Sequence, residues 1–140
     1  MIAVVDASAA TKLFVEEFGS DVVRGLWIEV ELSAPTVLLA ELAAAVGRGL
    51  DGGAYQRSVE AVDFVRHSGQ LRDVDEDLAL RAAALAAARG VRGMDAIYLA
   101  TAIEIAERGL DVALLSFDAR QREAALDVGI AVIPAEVPDR

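Results

Sequence analysis

At 140 residues, with 55% apolar side chains and no compositional break, the chain can build one packed core and is read as a single domain spanning residues 1–140. Having no cysteine excludes disulfides, thiolate metal sites and cysteine nucleophiles, and a lone histidine, His67, excludes a two-histidine zinc centre. The net charge of −10 argues against a broad basic surface for non-specific nucleic-acid binding, while no apolar run approaches the ~20 residues of a membrane span and the N-terminus shows no leader pattern, so a soluble, cytoplasmic protein is expected.

Ile2 to Val5 is a continuous apolar run that suits a strand buried on both faces, and it ends at Asp6. A helix is expected from about Ala9 to Glu16, broken at Gly19 and Ser20. Another follows from Asp21 to Glu31, with Val22, Val23, Leu26, Trp27 and Val30 at helical spacing and Trp27 in the core. Leu32 to Pro35 offers a brief second strand at best. Thr36 stands where a helix N-cap belongs, ahead of the apolar run Val37 to Val46, which the glycines at 47, 49, 52 and 53 end. These glycines form no phosphate loop, because neither a preceding strand nor a Gly-Lys-Ser/Thr accompanies them.

Ala54 to His67 reads as a further helix, with His67 a solvated residue at its end, and Leu71 to Val74 as a candidate third strand. The alanine-rich segment Leu78 to Arg89 has high helix propensity and stops at Gly90. Met94 to Arg108 is a helix that Gly109 terminates. Val112 to Ser116 is an apolar strand, Ala119 to Val128 a helix, and Ile130 to Ile133 a last strand before Pro134. Strands alternating with helices imply parallel pairing and helices on both faces, so the expected fold is α/β, a three-layer α/β/α sandwich around a central parallel sheet.

In open parallel sheets ligands bind beyond the carboxyl ends of the strands, which directs attention to Asp6 and to Asp118, the latter just past Leu114-Leu-Ser-Phe. Each also reads as the N-cap of the helix that follows. Glu41 lies inside Val37-Leu-Leu-Ala-Glu-Leu-Ala-Ala-Ala-Val, where nearly every helix face is apolar; it either needs a partner or occupies the one exposed stripe. Asp95 follows Gly93-Met94 in a first helical turn, where the helix dipole alone favours an acid. Gathered on one rim without matching lysines or arginines, four carboxylates repel one another, and a divalent cation relieves that repulsion. Magnesium, with manganese as a substitute, prefers such hard oxygen donors. Without metal, at least one of the four is expected to hold its proton above the ordinary carboxylate range.

Taken in order, Val4-Val-Asp6-Ala-Ser8-Ala, Glu41 after the second strand, Gly93-Met-Asp95-Ala-Ile-Tyr-Leu-Ala-Thr-Ala and Leu115-Ser-Phe-Asp118 resemble the PIN-domain ribonucleases, and in size and order the VapC toxins of type II toxin–antitoxin systems. The similarity runs from Ile2 to about Ile133. It implies that Asp6, Glu41, Asp95 and Asp118 hold one or two magnesium ions and activate water for in-line attack on an RNA phosphodiester. It also implies that Ser8 and Ser116 border the site, serine standing at 116 where the family commonly has threonine. Arg92 and Arg120, each near a site aspartate, are candidates for positioning RNA, with a solvated surface role as the alternative. An antitoxin that covers the site and a homodimer are further implications of the resemblance.

Three other readings compete. A receiver-type phosphoacceptor module also carries acids at strand ends and a magnesium ion, but it needs a lysine after a late strand, and the only lysine here is Lys12. A haloacid-type phosphatase needs a second aspartate two residues after the first, where this chain has Ser8. A PIN-like interaction module without turnover shares every motif named above.

Overall fold

The computed structural model describes residues 1–48 and 53–137. A five-stranded parallel sheet is built from β1 (Ile2–Val5), β2 (Glu31–Pro35), β3 (Gln70–Arg72), β4 (Val112–Leu115) and β5 (Ala131–Ile133) in the order β3-β2-β1-β4-β5. Its centre is the apolar pair anticipated from sequence: β1 and β4 run side by side with Ile2 opposite Val112 and Val5 opposite Leu115. All four residues of β4 are buried, as are three of the four in β1, because helices cover both faces.

Between the strands lie α1 (Ala7–Ala10), a 3₁₀ turn (Thr11–Leu13), α2 (Ser20–Glu29), α3 (Val37–Arg48), α4 (Ala54–Ser68), α5 (Glu76–Arg89), α6 (Gly93–Glu107) and α7 (Ala119–Asp127). Right-handed crossovers put α1 to α4, which accompany the steps from β1 outwards to β3, on one face and α5 to α7 on the other. The expected three-layer α/β/α sandwich is therefore what forms. One core cluster joins β1 and β4 to Leu38, Leu42 and Val46 of α3 and to Tyr98, Leu99 and Ile105 of α6; a smaller one, Leu78, Ala82, Ala96 and Ala100, welds α5 to α6. No helix among the described residues is long and apolar enough to cross a membrane.

Several local expectations are revised. Instead of a helix from Ala9 to Glu16, Asp6 caps the four-residue α1, whose last turn tightens where the Thr11 hydroxyl donates to the Ala7 carbonyl (2.7 Å). The chain beyond is then drawn in by Lys12, whose buried ammonium donates to Glu17 Oε1 (3.0 Å) and to the Phe18 carbonyl (2.7 Å). The Thr36 hydroxyl accepts from the Val74 N–H (3.4 Å) and so ties the start of α3 to the segment after β3. The second strand is a full partner of β1, with Val4 opposite Ser33, although its serine interrupts the apolar pattern. Trp27 packs against the core and stacks on Phe64, and His67 is exposed beside Asp63, both as expected. Gly49 and Gly52 lie outside the described residues.

Candidate functional site

Because β1 and β4 are neighbours in register, the residues that leave their carboxyl ends emerge together. The Asp6 N–H donates to the Leu115 carbonyl (3.2 Å), which sets Asp6 against Ser116. The Ser116 hydroxyl donates to Asp6 Oδ2 in a short hydrogen bond, while Asp6 Oδ1 accepts from the Ser8 hydroxyl (2.6 Å) and the Ala9 N–H (3.1 Å). Ser8 in turn accepts from the Phe117 N–H (2.9 Å), and Ser116 accepts from the Asp118 N–H (3.1 Å). Two strand ends are thus laced together by two serines around one carboxylate.

Asp6 is only 5% exposed. That burial pushes its carboxyl up to about 6, against the pull of the Ser116, Ser8 and Ala9 donors, and the charge of Asp118 adds to the rise. Asp118 is exposed and caps α7, its Oδ1 accepting from the Gln121 N–H (3.0 Å). Both aspartates are therefore helix caps and rim acids at once, so the capping role and the site role coexist.

Asp95 sits half-buried in the first turn of α6. Burial, then the charge of Asp118, raises its carboxyl; exposed Arg92, at the N-cap of α6, opposes this, and Glu41 adds to it. Glu41 faces inwards from α3 and finds a partner that the sequence did not suggest: the Tyr98 hydroxyl donates to its Oε1 at 2.6 Å. Buried Tyr98 resists ionisation, chiefly through burial and then through the Glu41 bond, and it lies within the field of Glu41, Asp6 and Asp95. Arg120 is exposed in the first turn of α7.

All four acids consequently share one rim and feel one another electrostatically, in the chain Glu41, Asp95, Asp118, Asp6. They do not form a ready-made cage: among the described residues no three acid, histidine or cysteine side chains stand grouped closely enough to hold an ion as they are. The local bonds explain the spacing, since Asp6, Asp118 and Glu41 each have an oxygen committed to a hydroxyl or N–H, and like charges resist closer approach. What the rim offers is oxygen donors alone, which match a hard divalent cation and not a thiophilic metal.

Three residues of this region are not singled out by the motifs: Tyr98 lies within the segment from Gly93 to Ala102 without a role of its own, and Gln121 and Arg122 lie beyond Asp118. Tyr98 is three residues after Asp95 and Gln121 three after Asp118, so each falls within a helical turn of a singled-out acid; that spacing was the available signal. Arg122 donates to the Ser116, Pro134 and Ala135 carbonyls (3.0, 2.8 and 3.1 Å) and fastens the segment after β5 beneath the rim.

A profile of the PIN domain family matches residues 3–126. The chain is 32% identical, over 94% of its own length and 94% of theirs, to Ribonuclease VapC45 of Mycobacterium tuberculosis strain CDC 1551 / Oshkosh and to Ribonuclease VapC49 of M. tuberculosis strain ATCC 25618 / H37Rv. Among solved structures its fold is similar to that of M. tuberculosis VapC20, described as a sarcin-ricin loop cleaving toxin, with a TM-score of 0.72 at 18% identity, covering 99% of this chain and 100% of that one. It is also similar to a toxin–antitoxin complex from Klebsiella pneumoniae, with a TM-score of 0.68 at 18% identity and coverage of 97% and 99%.

Proposed function

Since the chain belongs to the PIN domain family, we propose that it is a divalent-metal-dependent endoribonuclease and the toxin of a toxin–antitoxin pair, its single domain hydrolysing RNA phosphodiester bonds. The observation that carries this reading is the pairing of β1 with β4, which puts Asp6 and Asp118 on one rim within the electrostatic reach of Asp95 and Glu41. The names of the relatives at 32% identity point the same way.

Asp6, Glu41, Asp95 and Asp118 would hold magnesium, or manganese in its place. Such an ion supplies a water of lowered pKa and positive charge against the transition state of phosphoryl transfer. The chain's own part is positional. Ser8 and Ser116 fix both oxygens of Asp6, so this carboxylate is oriented before any ligand arrives. Asp95 stands in the first turn of α6 and Asp118 at the N-cap of α7, so each carboxylate can swing by side-chain rotation while the backbone stays put. Arg92 and Arg120 flank the rim and would steer the phosphate backbone towards it, which a chain of net charge −10 cannot do with its surface as a whole. A cognate antitoxin supplying cationic side chains to the acidic rim, and a homodimer, complete the proposal.

Cleavage of RNA by the wild type and by Asp6→Ala, with magnesium and with chelator, tests it. Cleavage by the wild type only, and only with metal, is expected. Equal cleavage by both proteins, or none by either, would overturn the nuclease reading.

A further inference from the structure

Gln121 is 1% exposed, a depth at which a polar side chain is ordinarily fully hydrogen-bonded. Here only half of the amide is. Nε2 donates to the main-chain carbonyl of Asp95 (3.2 Å), whereas Oε1, equally buried, accepts from no group among the described residues. The N–H of the same residue donates to Asp118 Oδ1 (3.0 Å). Gln121 therefore touches the turn that carries one rim acid and the carboxylate of another.

A leucine or methionine would fill this space without burying an unsatisfied acceptor. The amide sits here despite that cost, and the one thing it does that an apolar side chain could not is hold the Asp95 carbonyl. We propose that Gln121 is a positioning residue of the metal centre: it fastens the first turn of α6 to the first turn of α7 and so sets the separation of Asp95 and Asp118. This inference rests on the metal-binding reading above. Gln121 contacts no reacting atom and acts through the two aspartates.

The test compares wild type, Gln121→Leu and Gln121→Met by melting temperature in chelator and by Mn2+ affinity, read from the electron paramagnetic resonance of free Mn2+ during titration. Both variants should melt at or above the wild-type temperature in chelator, because the orphan acceptor is gone. Both should bind Mn2+ about tenfold more weakly, the usual consequence of losing a group that orients a ligand. Methionine serves as the second measurement should leucine fail to fold. Undiminished Mn2+ affinity in a folded variant, with or without a change in melting temperature, overturns the positioning role and leaves Gln121 a packing residue. Failure of the wild type itself to bind Mn2+ is a different result; it removes the metal centre and this inference with it.

Discussion

The Tyr98 hydroxyl, on α6, donates to Glu41 Oε1, on α3, across 2.6 Å, and this is the one side-chain hydrogen bond among the described residues that joins these two helices at the rim. A carboxylate on a mostly apolar helix is thereby restrained and aimed. Tyr98→Phe keeps the ring, and so the packing, but frees Glu41. Loss of such a supporting bond should weaken divalent-metal affinity roughly 10-fold or more, while the melting temperature in chelator changes little. Isothermal titration with Mn2+ checks this, and a cycle with Glu41→Gln sharpens it: if Tyr98 acts through Glu41, the phenylalanine change should have no further effect once Glu41 is neutral.

Asp6 makes stability depend on pH in an unusual direction. Its carboxyl titrates near 3.8 in the unfolded chain and at about 6 in the folded protein, chiefly because it is buried. Between those values the folded state keeps a proton that the unfolded state has lost, so stability from this group is present below pH 3.8 and is lost as pH rises to 6. A shift of this size amounts to about 3 kcal/mol at neutral pH. Asp6→Asn should therefore be more stable than wild type at pH 7.5 in chelator, with the advantage shrinking towards pH 4. Urea midpoints of both proteins at several pH values provide the measurement; a constant difference across the window would contradict the raised value.

The same burial predicts how metal and protons compete. Binding a cation requires the ionised form of Asp6, so apparent Mg2+ affinity should fall as pH drops below about 6. A titration followed by intrinsic fluorescence at pH 5 and pH 7.5 should show the weaker binding at the lower pH, and equal affinities would place Asp6 outside the ligand set.

The parts of this picture that the sequence disclosed are those governed by local pattern. β1 and β4 are unbroken apolar runs ending in acids, and parallel topology alone puts both ends on one side of the sheet. Ser33 breaks the apolar run of β2 and leaves it a weak strand signal, yet Ser33 lies in register beside Val4 in the parallel β1–β2 pair. The early end of α1 was hidden for a related reason: it follows from a long-range arrangement around Lys12 and Phe117, not from the helix propensity of Ala9 to Glu16. Tyr98 and Gln121 are polar residues inside apolar segments, and whether such a residue is a core misfit or a clasp depends on what faces it, which spacing along one helix does not reveal.

If the four acids bind one cation, the ion should stabilise the folded form by mass action, about 2.7 kcal/mol at a hundredfold excess over Kd. Millimolar Mg2+ or Mn2+ should raise the wild-type melting temperature by several degrees. Asp95→Asn removes a half-buried charge that Asp118 and Glu41 both repel, so it should melt higher than wild type in chelator and show no rise with metal. Differential scanning fluorimetry with and without metal separates the two effects; a full metal response in the variant would count against Asp95 as a ligand.

Gly19 connects the first loop to the rim. Its φ of +87° is strained for any other residue, and a Cβ there would stand 2.7 Å from the ring of Phe117. That ring also receives the Lys12 ammonium at 4.8 Å, and its residue lies between Ser116 and Asp118 with its N–H bonded to Ser8. Gly129 provides the control, since its φ is +80° but a Cβ there would meet nothing within 4 Å. Gly129→Ala should lose only the left-handed backbone term, about 1–2 kcal/mol. Gly19→Ala should lose that and a further ~1–3 kcal/mol for displacing a packed ring, and by shifting Phe117 it should also blunt the rise in melting temperature with Mg2+. Denaturant titrations of the two variants in chelator, repeated with metal, make the comparison. Equal losses and equal metal responses would mean that Phe117 yields without disturbing Ser8 or Asp118, and that the first loop packs near the rim without shaping it.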